Sequence, residues 1–374
     1  MRFLILFCSP LGLVIASFAA VFASALPQII DEWRAQQQLV SPSTIASTVA
    51  RESKLYEAVV KGDLAEVRAL IAQGADVNEK STSGATLLHV AVAKIPVAIT
   101  ELLIQSGADV NARSRSGRTP LHNVFTKGVE PAARERLVLL LLKSGAKADA
   151  RADNGLTPLH LALDSPALVE MLLANGAEAG AKDNDGVTPL HRANRAEVVE
   201  LLLRKGADVK AQDKSGKQPL AYAAERGNGP ITELLLAKGA NVNHADQHGR
   251  TALEAAVRSE NVATIGVLIA AGARTDITRY RGYSLLHLAT IRNKPEVVDA
   301  LIAGGADVNA KNVNGWTPMH YAAAYCNENL KRHLLAAGAD PMPKDKHGNA
   351  PLPCYIGARI IEYAPQLLSC SGLR

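Results

Sequence analysis

The chain has 374 residues, of which 48% are hydrophobic and 21% charged, and its formal net charge is +5. This composition excludes wholesale disorder, and basic residues that alternate with Asp and Glu argue against a nucleic-acid-binding protein. Only 4% of the residues are aromatic. Because bulky side chains normally fill the core of a large globular domain, their scarcity predicts thin layers of Ala and Leu.

The first 25 residues are predicted to be an export signal. Arg2 is followed by an apolar run with no charged residue before Asp31, and Ala23-Ser24-Ala25 matches a cleavage site of small residues. The run is nearly long enough to cross a bilayer, so a signal anchor over residues 3–25 remains an alternative. Both alternatives place the rest of the chain in an extracytoplasmic compartment. A buried N-terminal helix is the third alternative.

Residues 26–52 are predicted to be a linker. They suggest a short polar helix followed by a spacer rich in Ser, Thr and Pro, and they lack the pattern found downstream. That pattern occupies residues 53–370, and residues 371–374 remain as a tail.

The long segment repeats with a period of about 33 residues. A Gly-Ala dipeptide, preceded by a Leu-Leu or Leu-Ile pair, occurs nine times. We number the units 1 to 9 by the glycine of this dipeptide: Gly74, Gly107, Gly145, Gly176, Gly206, Gly239, Gly272, Gly305 and Gly338. A second Gly stands ten residues after each of these, and a run of the form Thr-Pro-Leu-His follows it, as at 119–122, 157–160 and 188–191.

Each part of the repeat has a physical role. The Thr can cap a helix, and the Pro after it fits the first helical position, where its missing N–H is not needed. A second helix follows, in which the Leu pair forms the buried stripe and the Gly ends the helix in a left-handed conformation. The Asn and Asp between the two glycines suit a turn or a β-hairpin.

These motifs resemble the ankyrin repeat, whose length is about 33 residues and whose signature is T-P-L-H-x-A. The resemblance covers residues 53–370, as nine units and a terminal half-unit. It implies a mainly α fold, an elongated ankyrin-repeat solenoid of helix-turn-helix units joined by β-hairpin fingers. Residues 55–78 would form the N-terminal cap and residues 350–370 the C-terminal cap, because each unit buries its apolar face only against its neighbours.

The resemblance also implies that the motif histidine forms hydrogen bonds between neighbouring units. Six units carry this residue: His89, His122, His160, His191, His287 and His320. Units 6 and 7 have Ala221 and Glu254 instead. Because the stability of a stack is a sum of unit and interface contributions, two weak units in succession predict a soft point near residues 216–270.

Three units differ in length from the others. Units 4 and 5 are short by two and three residues, and unit 3 gains five residues within 126–136. All three changes fall between the two helices of a unit. They therefore predict altered local curvature and one protruding turn, with the stack intact.

No Walker loop, G-x-S-x-G, H-E-x-x-H, EF-hand or G-x-G-x-x-G motif occurs. The chain is therefore predicted to be a non-enzyme with no cofactor and no bound metal. His244 and His248 leave a weak zinc or copper site as a minor hypothesis. Cys326 is expected to be a small buried residue, whereas Cys354 and Cys370 could form a disulfide in an oxidising compartment.

The resemblance places partner binding on the concave face made by the fingers and the first helices. Positions that flank the second Gly or follow the motif histidine hold mostly small or aliphatic residues in the first half of the chain. In the second half they hold aromatic or basic residues. Tyr, Trp and Arg dominate the binding energy of many interfaces. The candidate residues are Tyr222, Arg250, Arg279, Tyr280, Tyr283, Trp316 and Tyr321. The alternative is that these are side chains that such fingers commonly carry, with no role in binding a partner.

These features predict a monomeric protein–protein interaction module in an extracytoplasmic compartment, periplasmic or secreted. Its partner is expected to be a protein of unidentified kind. Nucleic acid is not an expected partner, and a membrane is one only if the first segment stays uncleaved. A membrane-anchored scaffold and a secreted effector that binds host proteins are the alternatives.

Overall fold

A computed structural model describes residues 53–94, 96–126 and 128–351. The predicted leader or anchor, the linker, the tail and the Cys354–Cys370 pair lie outside these residues. Within them the structure is mainly helical, as predicted, and contains no β-strand. None of the helices in these ranges combines the length and apolar character needed to cross a bilayer.

The helices come in nine pairs, one for each unit described. The first helices are Lys54–Lys61, Leu87–Lys94, Pro120–Asn123, Pro158–Leu161, Pro189–Arg192, Pro219–Glu225, Ala252–Arg258, Leu285–Ile291 and Pro318–Ala324. The second helices are Leu64–Ala72, Val97–Gln105, Pro131–Lys143, Pro166–Ala174, Ala196–Arg204, Gly229–Ala237, Val262–Ala270, Pro295–Ala303 and Glu328–Ala336. A short 3-10 helix, Tyr280–Gly282, precedes unit 8.

The pairs stack in two rows. First helices pack against the first helices of neighbouring units, and second helices pack against second helices. The continuous core between the rows consists mainly of Leu, Val and Ala, and Tyr321 is the one Phe, Trp or Tyr among the buried hydrophobic residues of the described ranges. Each buried Leu or Val contributes about 1.5–3 kcal/mol. The low aromatic content therefore follows from a core only one helix layer thick on each side.

Unit 3 shows how the sequence sets the ends of the helices. Thr119 is the N-cap of the first helix, and Pro120 occupies its first position. The second helix ends at Lys143, and the chain leaves it through Gly145, where φ is 87°. Beyond the last turn, the N–H of Ala146 reaches back to the carbonyl of Leu141 at 2.9 Å. A glycine is needed there because the left-handed conformation costs other residues about 1–2 kcal/mol.

Nine tight turns, which we call fingers, connect the units. In each finger the first residue donates its N–H to the carbonyl of the fifth, and the second Gly of the repeat donates to the carbonyl of the first. We number them 1 to 9: residues 81–85, 114–118, 152–156, 183–187, 213–217, 246–250, 279–283, 312–316 and 345–349. Two isolated β-bridges, Lys80 to Thr86 and Thr278 to Ser284, stand where β-hairpins were predicted. The cap residue of the next helix follows directly, which leaves too little extended chain for a strand.

Adjacent fingers are joined through their backbones. The N–H of Asp153 donates to the carbonyl of Ser116 at 3.0 Å, and that of Asn184 donates to the carbonyl of Asn154 at 3.0 Å. Equivalent bonds join the tips of fingers 1 and 2, 4 and 5, 5 and 6, 7 and 8, and 8 and 9. The fingers therefore form a ladder along one side of the stack.

The length differences are absorbed by the helices. The second helix of unit 3 has 13 residues, whereas the second helix of every other unit has nine. Most of the insertion therefore extends a helix rather than forming the predicted protruding turn. The first helices of units 3, 4 and 5 have only four residues each.

Cys326 is exposed, contrary to the expectation that it is buried. It lies in the turn between the two helices of unit 9 and has a φ of 58°. Glu260 and Asn293 occupy the same turn in units 7 and 8 with similar positive φ values. This left-handed turn directs the side chain away from the helix layers, which is why apolar character alone did not predict its position.

We expect Gly155→Ala to cost roughly 2–4 kcal/mol of unfolding free energy, and Gly145→Ala only about 1 kcal/mol. Both glycines have positive φ, but a Cβ on Gly155 would lie 2.5 Å from the Asn184 amide nitrogen, whereas a Cβ on Gly145 would meet nothing within 4 Å. Urea unfolding of the two variants measures the difference. Equal losses would show that close contact between fingers is not what requires the second Gly.

Candidate functional site

The motif histidines lie buried between one unit and the next. In unit 5, the Nδ1 of His191 accepts a hydrogen bond from the N–H of Thr188 at 3.1 Å. Because Nδ1 accepts, the proton resides on Nε2, which donates to the carbonyl of Lys217 in finger 5 at 3.1 Å. One imidazole therefore caps its own helix and ties it to the following finger.

The same pair of bonds recurs at His89, His122, His160 and His287. In the last described unit, the Nδ1 of His320 accepts from the N–H of Thr317 at 3.0 Å. The backbone of Asn349, the last residue of finger 9, acts on the same ring, although Nε2 forms no hydrogen bond of good geometry with the described residues. Burial lowers the pKa of all six motif histidines, and it does so to about 4 at His122, His191 and His287. These side chains are therefore neutral structural links at neutral pH.

An ionic contact takes the place of the histidine between units 7 and 8. Glu254 is buried, and its Oε1 lies 3.1 Å from the Arg258 guanidinium on the same helix. Its Oε2 forms a 3.0 Å ion pair with the Nε of Arg279 in finger 7. Arg279 also donates to the carbonyl of His248 in finger 6 at 2.6 Å. Arg279, a predicted partner-binding residue, thus serves to hold fingers 6 and 7 to unit 7.

Between units 6 and 7, no side chain replaces the missing histidine at Ala221. A different contact spans unit 6: the Nε2 of His244, just before finger 6, lies 2.7 Å from the carbonyl of Gly216 in finger 5. This contact gives His244 a structural role, and no cluster of three or more metal-ligating side chains occurs in the described ranges. A cleft of about 280 Å³ opens beside Ala221, lined by residues that include Asp213, Tyr222, Arg250 and Glu254.

The polar groups around this cleft pair with one another. Tyr222 is half-buried, and its hydroxyl donates to Asp213 at 2.8 Å. Burial, followed by this bond, raises the pKa of the Tyr222 hydroxyl. The exposed Arg250 forms a 2.8 Å ion pair with Asp246. Both predicted residues face the cleft, and each is held in place by a finger carboxylate: Tyr222 by Asp213 of finger 5 and Arg250 by Asp246 of its own finger.

A cluster of aromatic side chains joins fingers 7 and 8 to the first helix of unit 9. Tyr321 is only 2% exposed, and its hydroxyl accepts from Asn312 at 3.1 Å and donates to the hydroxyl of Tyr283 at 2.7 Å. Trp316 stacks on His320 with ring centroids 5.9 Å apart and meets the Tyr321 ring edge-on at 5.2 Å. Both Tyr283 and Trp316 are half-buried.

This arrangement corrects the placement of Tyr321. The sequence put it among the partner-binding residues, but the helix turns it inward beneath Tyr283 and Trp316, so it supports them and does not face a partner. The Tyr283 hydroxyl accepts a hydrogen bond from Tyr321. Its own O–H can therefore donate a second hydrogen bond outward. The backbone of Tyr280 lies in the 3-10 helix, and its side chain falls outside what the structure describes.

Three features of the finger side were not predicted: the Glu254–Arg279 contact, the His244 contact, and the side chains at the finger tips. The tip of each finger is the pair of residues before the second Gly, which includes Arg281 in finger 7, Val313 in finger 8 and Lys346 in finger 9. No comparable rule gives the two contacts, because each pairs residues about 25–30 positions apart.

Comparison with known proteins gives one family match. The model of a family described as ankyrin repeats (3 copies) matches residues 55–134, 129–213, 193–279 and 267–345, which together make up more than half of the chain. No curated protein matches the chain.

Acid should weaken the stack through the buried histidines. Their folded-state pKa is depressed, so the unfolded chain binds more protons between the ordinary value of 6.5 and about 4, and stability falls as the pH drops through this window. We expect His122→Gln to be less stable at pH 7 but to lose about 1–3 kcal/mol less between pH 6.5 and 4. Urea unfolding across that range, with exposed His347→Gln as control, tests this. Equal slopes for all three proteins would refute it.

Removing the buried charge of Glu254 should destabilise the chain. We expect Glu254→Gln to cost about 1–3 kcal/mol, because Arg258 and Arg279 would lose a shared carboxylate in a partly buried setting. The matched control is Glu225→Gln, which removes an exposed carboxylate paired with Lys217 and should cost less than about 0.5 kcal/mol. If thermal and urea unfolding rank the two variants alike, Glu254 does not tie unit 7 to unit 8.

Proposed function

The chain belongs to the ankyrin-repeat family, and on this premise we propose that it is a non-enzymatic module that binds a partner protein across its fingers and first helices. Ankyrin repeats are in general protein–protein interaction modules. For this chain, the proposal places the partner on the C-terminal half of that side, which would be the concave face of the solenoid.

The cluster around Tyr283 and Trp316 is the observation that carries the proposal. Both rings are half-buried and held by neighbours, Trp316 by the His320 and Tyr321 rings and Tyr283 by the Tyr321 hydroxyl. A rigid aromatic side chain loses little conformational entropy when a partner binds, which makes it an efficient anchor. The same finger positions in the first half of the chain hold Leu156 and Val187.

The contacts of the acid–base groups support a non-enzyme. The motif histidine of unit 5 uses both ring nitrogens in structural bonds, and so do those of units 2, 3, 4 and 8. Around the cleft beside Ala221, the acidic side chains pair with neighbouring hydroxyls or cations. A catalytic base needs a free lone pair next to a substrate, and the Nδ1 lone pair of these imidazoles is already occupied.

The proposal extends to the segments outside the described residues. Residues 1–25 would direct the chain to an extracytoplasmic compartment and residues 26–52 would separate the solenoid from them. Residues up to 370 would complete the stack as its C-terminal cap, with Cys354 and Cys370 bridged. The membrane-anchored scaffold and the secreted effector remain the alternatives, and N-terminal sequencing of the mature protein separates an anchor from a cleaved signal.

A capture experiment in the native compartment tests the binding surface. The full chain and the double variant Tyr283→Ala, Trp316→Ala are compared as baits, and a partner held by the first should bind the second at least 30-fold more weakly, which corresponds to about 2 kcal/mol. The matched control changes Leu156 and Val187, at the same finger positions, to Ala.

Circular dichroism of all three baits shows whether the helical content is kept. The proposal predicts loss of the partner only in the first double variant, with helical content unchanged. Unchanged affinity of that variant would reject the surface, and the absence of any retained protein in the native compartment would reject the function.

A further inference from the structure

The tips of fingers 7, 8 and 9 form a continuous row. The N–H of Val313 donates to the carbonyl of Arg281 at 3.0 Å, and the N–H of Lys346 donates to the carbonyl of Asn314 at 3.0 Å. The side chains of Arg281 and Lys346 are exposed. Val313, between them, is 57% exposed, which is unusual for a branched apolar side chain in this structure. The row therefore presents a cation, an apolar side chain and a second cation.

The two cations of the row are exposed and form no ion pair with the described residues. Among the described residues, no carboxylate lies within 4 Å of either one, and Lys346 contacts only the side-chain oxygen of Asn314, at 3.2 Å. The nearby Asp345 carboxylate is directed to its own finger, where it accepts bonds from the amides of His347 and Asn349. The other arginine of finger 7, Arg279, is committed to Glu254.

The charge of the finger tips changes sign along the stack. Fingers 3 and 4 carry Asp153 and Asp185 in the two residues before the second Gly, whereas fingers 5, 7 and 9 carry Lys214, Arg281 and Lys346 there, and finger 2 carries Arg115. An anionic ligand would therefore be drawn to the C-terminal tips and repelled from the central ones. The C-terminal fingers are therefore better placed than fingers 3 and 4 to attract an anion, which the net charge of the whole chain does not show.

Directly behind the row stand Tyr283 and Trp316, the fifth residues of fingers 7 and 8. The Tyr283 hydroxyl accepts a hydrogen bond from the Tyr321 hydroxyl. Its own O–H can therefore donate to the ligand, which favours an oxygen acceptor there. Trp316 adds a partly exposed apolar surface that its neighbours hold in place. The surface thus combines two exposed cations and a hydroxyl donor with two apolar contacts, Val313 and Trp316.

We infer that fingers 7–9 bind an acidic peptide segment of the partner, in which carboxylates flank a large apolar side chain. The carboxylates would pair with Arg281, Lys346 and the Tyr283 hydroxyl, and the apolar side chain would pack on Val313 and Trp316. This inference rests on the proposed interaction function and specifies the chemistry of the partner. Two cations with carboxylates in the same ladder of tips are too few for a nucleic-acid backbone, which needs a continuous basic stripe.

The test is a selection of random 12-residue peptides displayed on phage, with the full chain as target. The inference predicts enrichment of peptides with Asp or Glu beside Trp, Phe, Leu or Ile, and affinities of the synthetic peptides that fall as NaCl is raised from 50 to 300 mM. Enrichment of basic or uncharged peptides, or of none, would overturn it. So would tighter binding of a mixed-sequence single-stranded oligonucleotide than of any selected peptide.

Charge reversal locates the binding surface. The double variant Arg281→Glu, Lys346→Glu should bind the selected peptides at least tenfold more weakly, and Val313→Ser should weaken binding severalfold, with thermal stability unchanged in both because these side chains are exposed. The control Arg204→Glu, Lys238→Glu makes the same change in net charge on exposed ends of second helices. Equal weakening by the control would show that only overall charge matters and would overturn the inference.

The outcome also distinguishes this inference from the proposed function. If a native partner is lost by the Tyr283 and Trp316 variant but kept by the charge-reversed tips, the chain is an interaction module and the acidic-peptide inference fails. If both variants keep the partner, the surface in both proposals is incorrect. Loss of the partner in both variants, together with acidic selected peptides, supports the two proposals jointly.

Discussion

The hydrogen bond from a buried imidazole to the next finger holds this stack together. In unit 8, for example, Nε2 of His287 donates to the carbonyl of Trp316 at 2.9 Å while Nδ1 accepts from the cap residue Ser284. The bond at Nδ1 requires the neutral ring, because a protonated imidazole has no acceptor, and both bonds are shielded by the packed helices. A single side chain therefore couples the start of one helix to the position of the next unit.

These hydrogen bonds also fix the positions of the fingers. Each carbonyl that accepts a hydrogen bond from a motif histidine belongs to the last residue of a finger. The histidine therefore fixes the backbone next to the partner-binding positions. Backbone hydrogen bonds between neighbouring tips then hold one finger to the next. At unit 7 the Glu254–Arg279 pair takes over this task, and beside unit 6 His244 contacts finger 5. The expected soft point thus has links of its own, although they differ in chemistry from those elsewhere.

Local patterns predicted the helices well and the tertiary contacts poorly. Thr-Pro at a helix start and Gly after a Leu pair act through neighbouring backbone groups, so they can be read in one unit. The burial of Tyr321 depends on Asn312 and on Tyr283, which lies 38 residues away. The ion pair of Glu254 between units depends on Arg279. The fingers were expected to be hairpins because composition shows that a turn is present but not how soon the next helix begins.

The central claim is that the motif histidine caps its own helix as well as linking units. It is tested most directly by hydrogen exchange of the cap amides, resolved residue by residue. Six of these amides donate to a histidine Nδ1 at 3.0–3.2 Å: Thr86, Thr119, Thr157, Thr188, Ser284 and Thr317.

The equivalent amides in units 6 and 7 belong to Gln218 and Thr251, and no acceptor among the described residues faces either one. The account predicts slow exchange at the six amides and markedly faster exchange at these two. Exchange at Gln218 and Thr251 as slow as at the other six would contradict it.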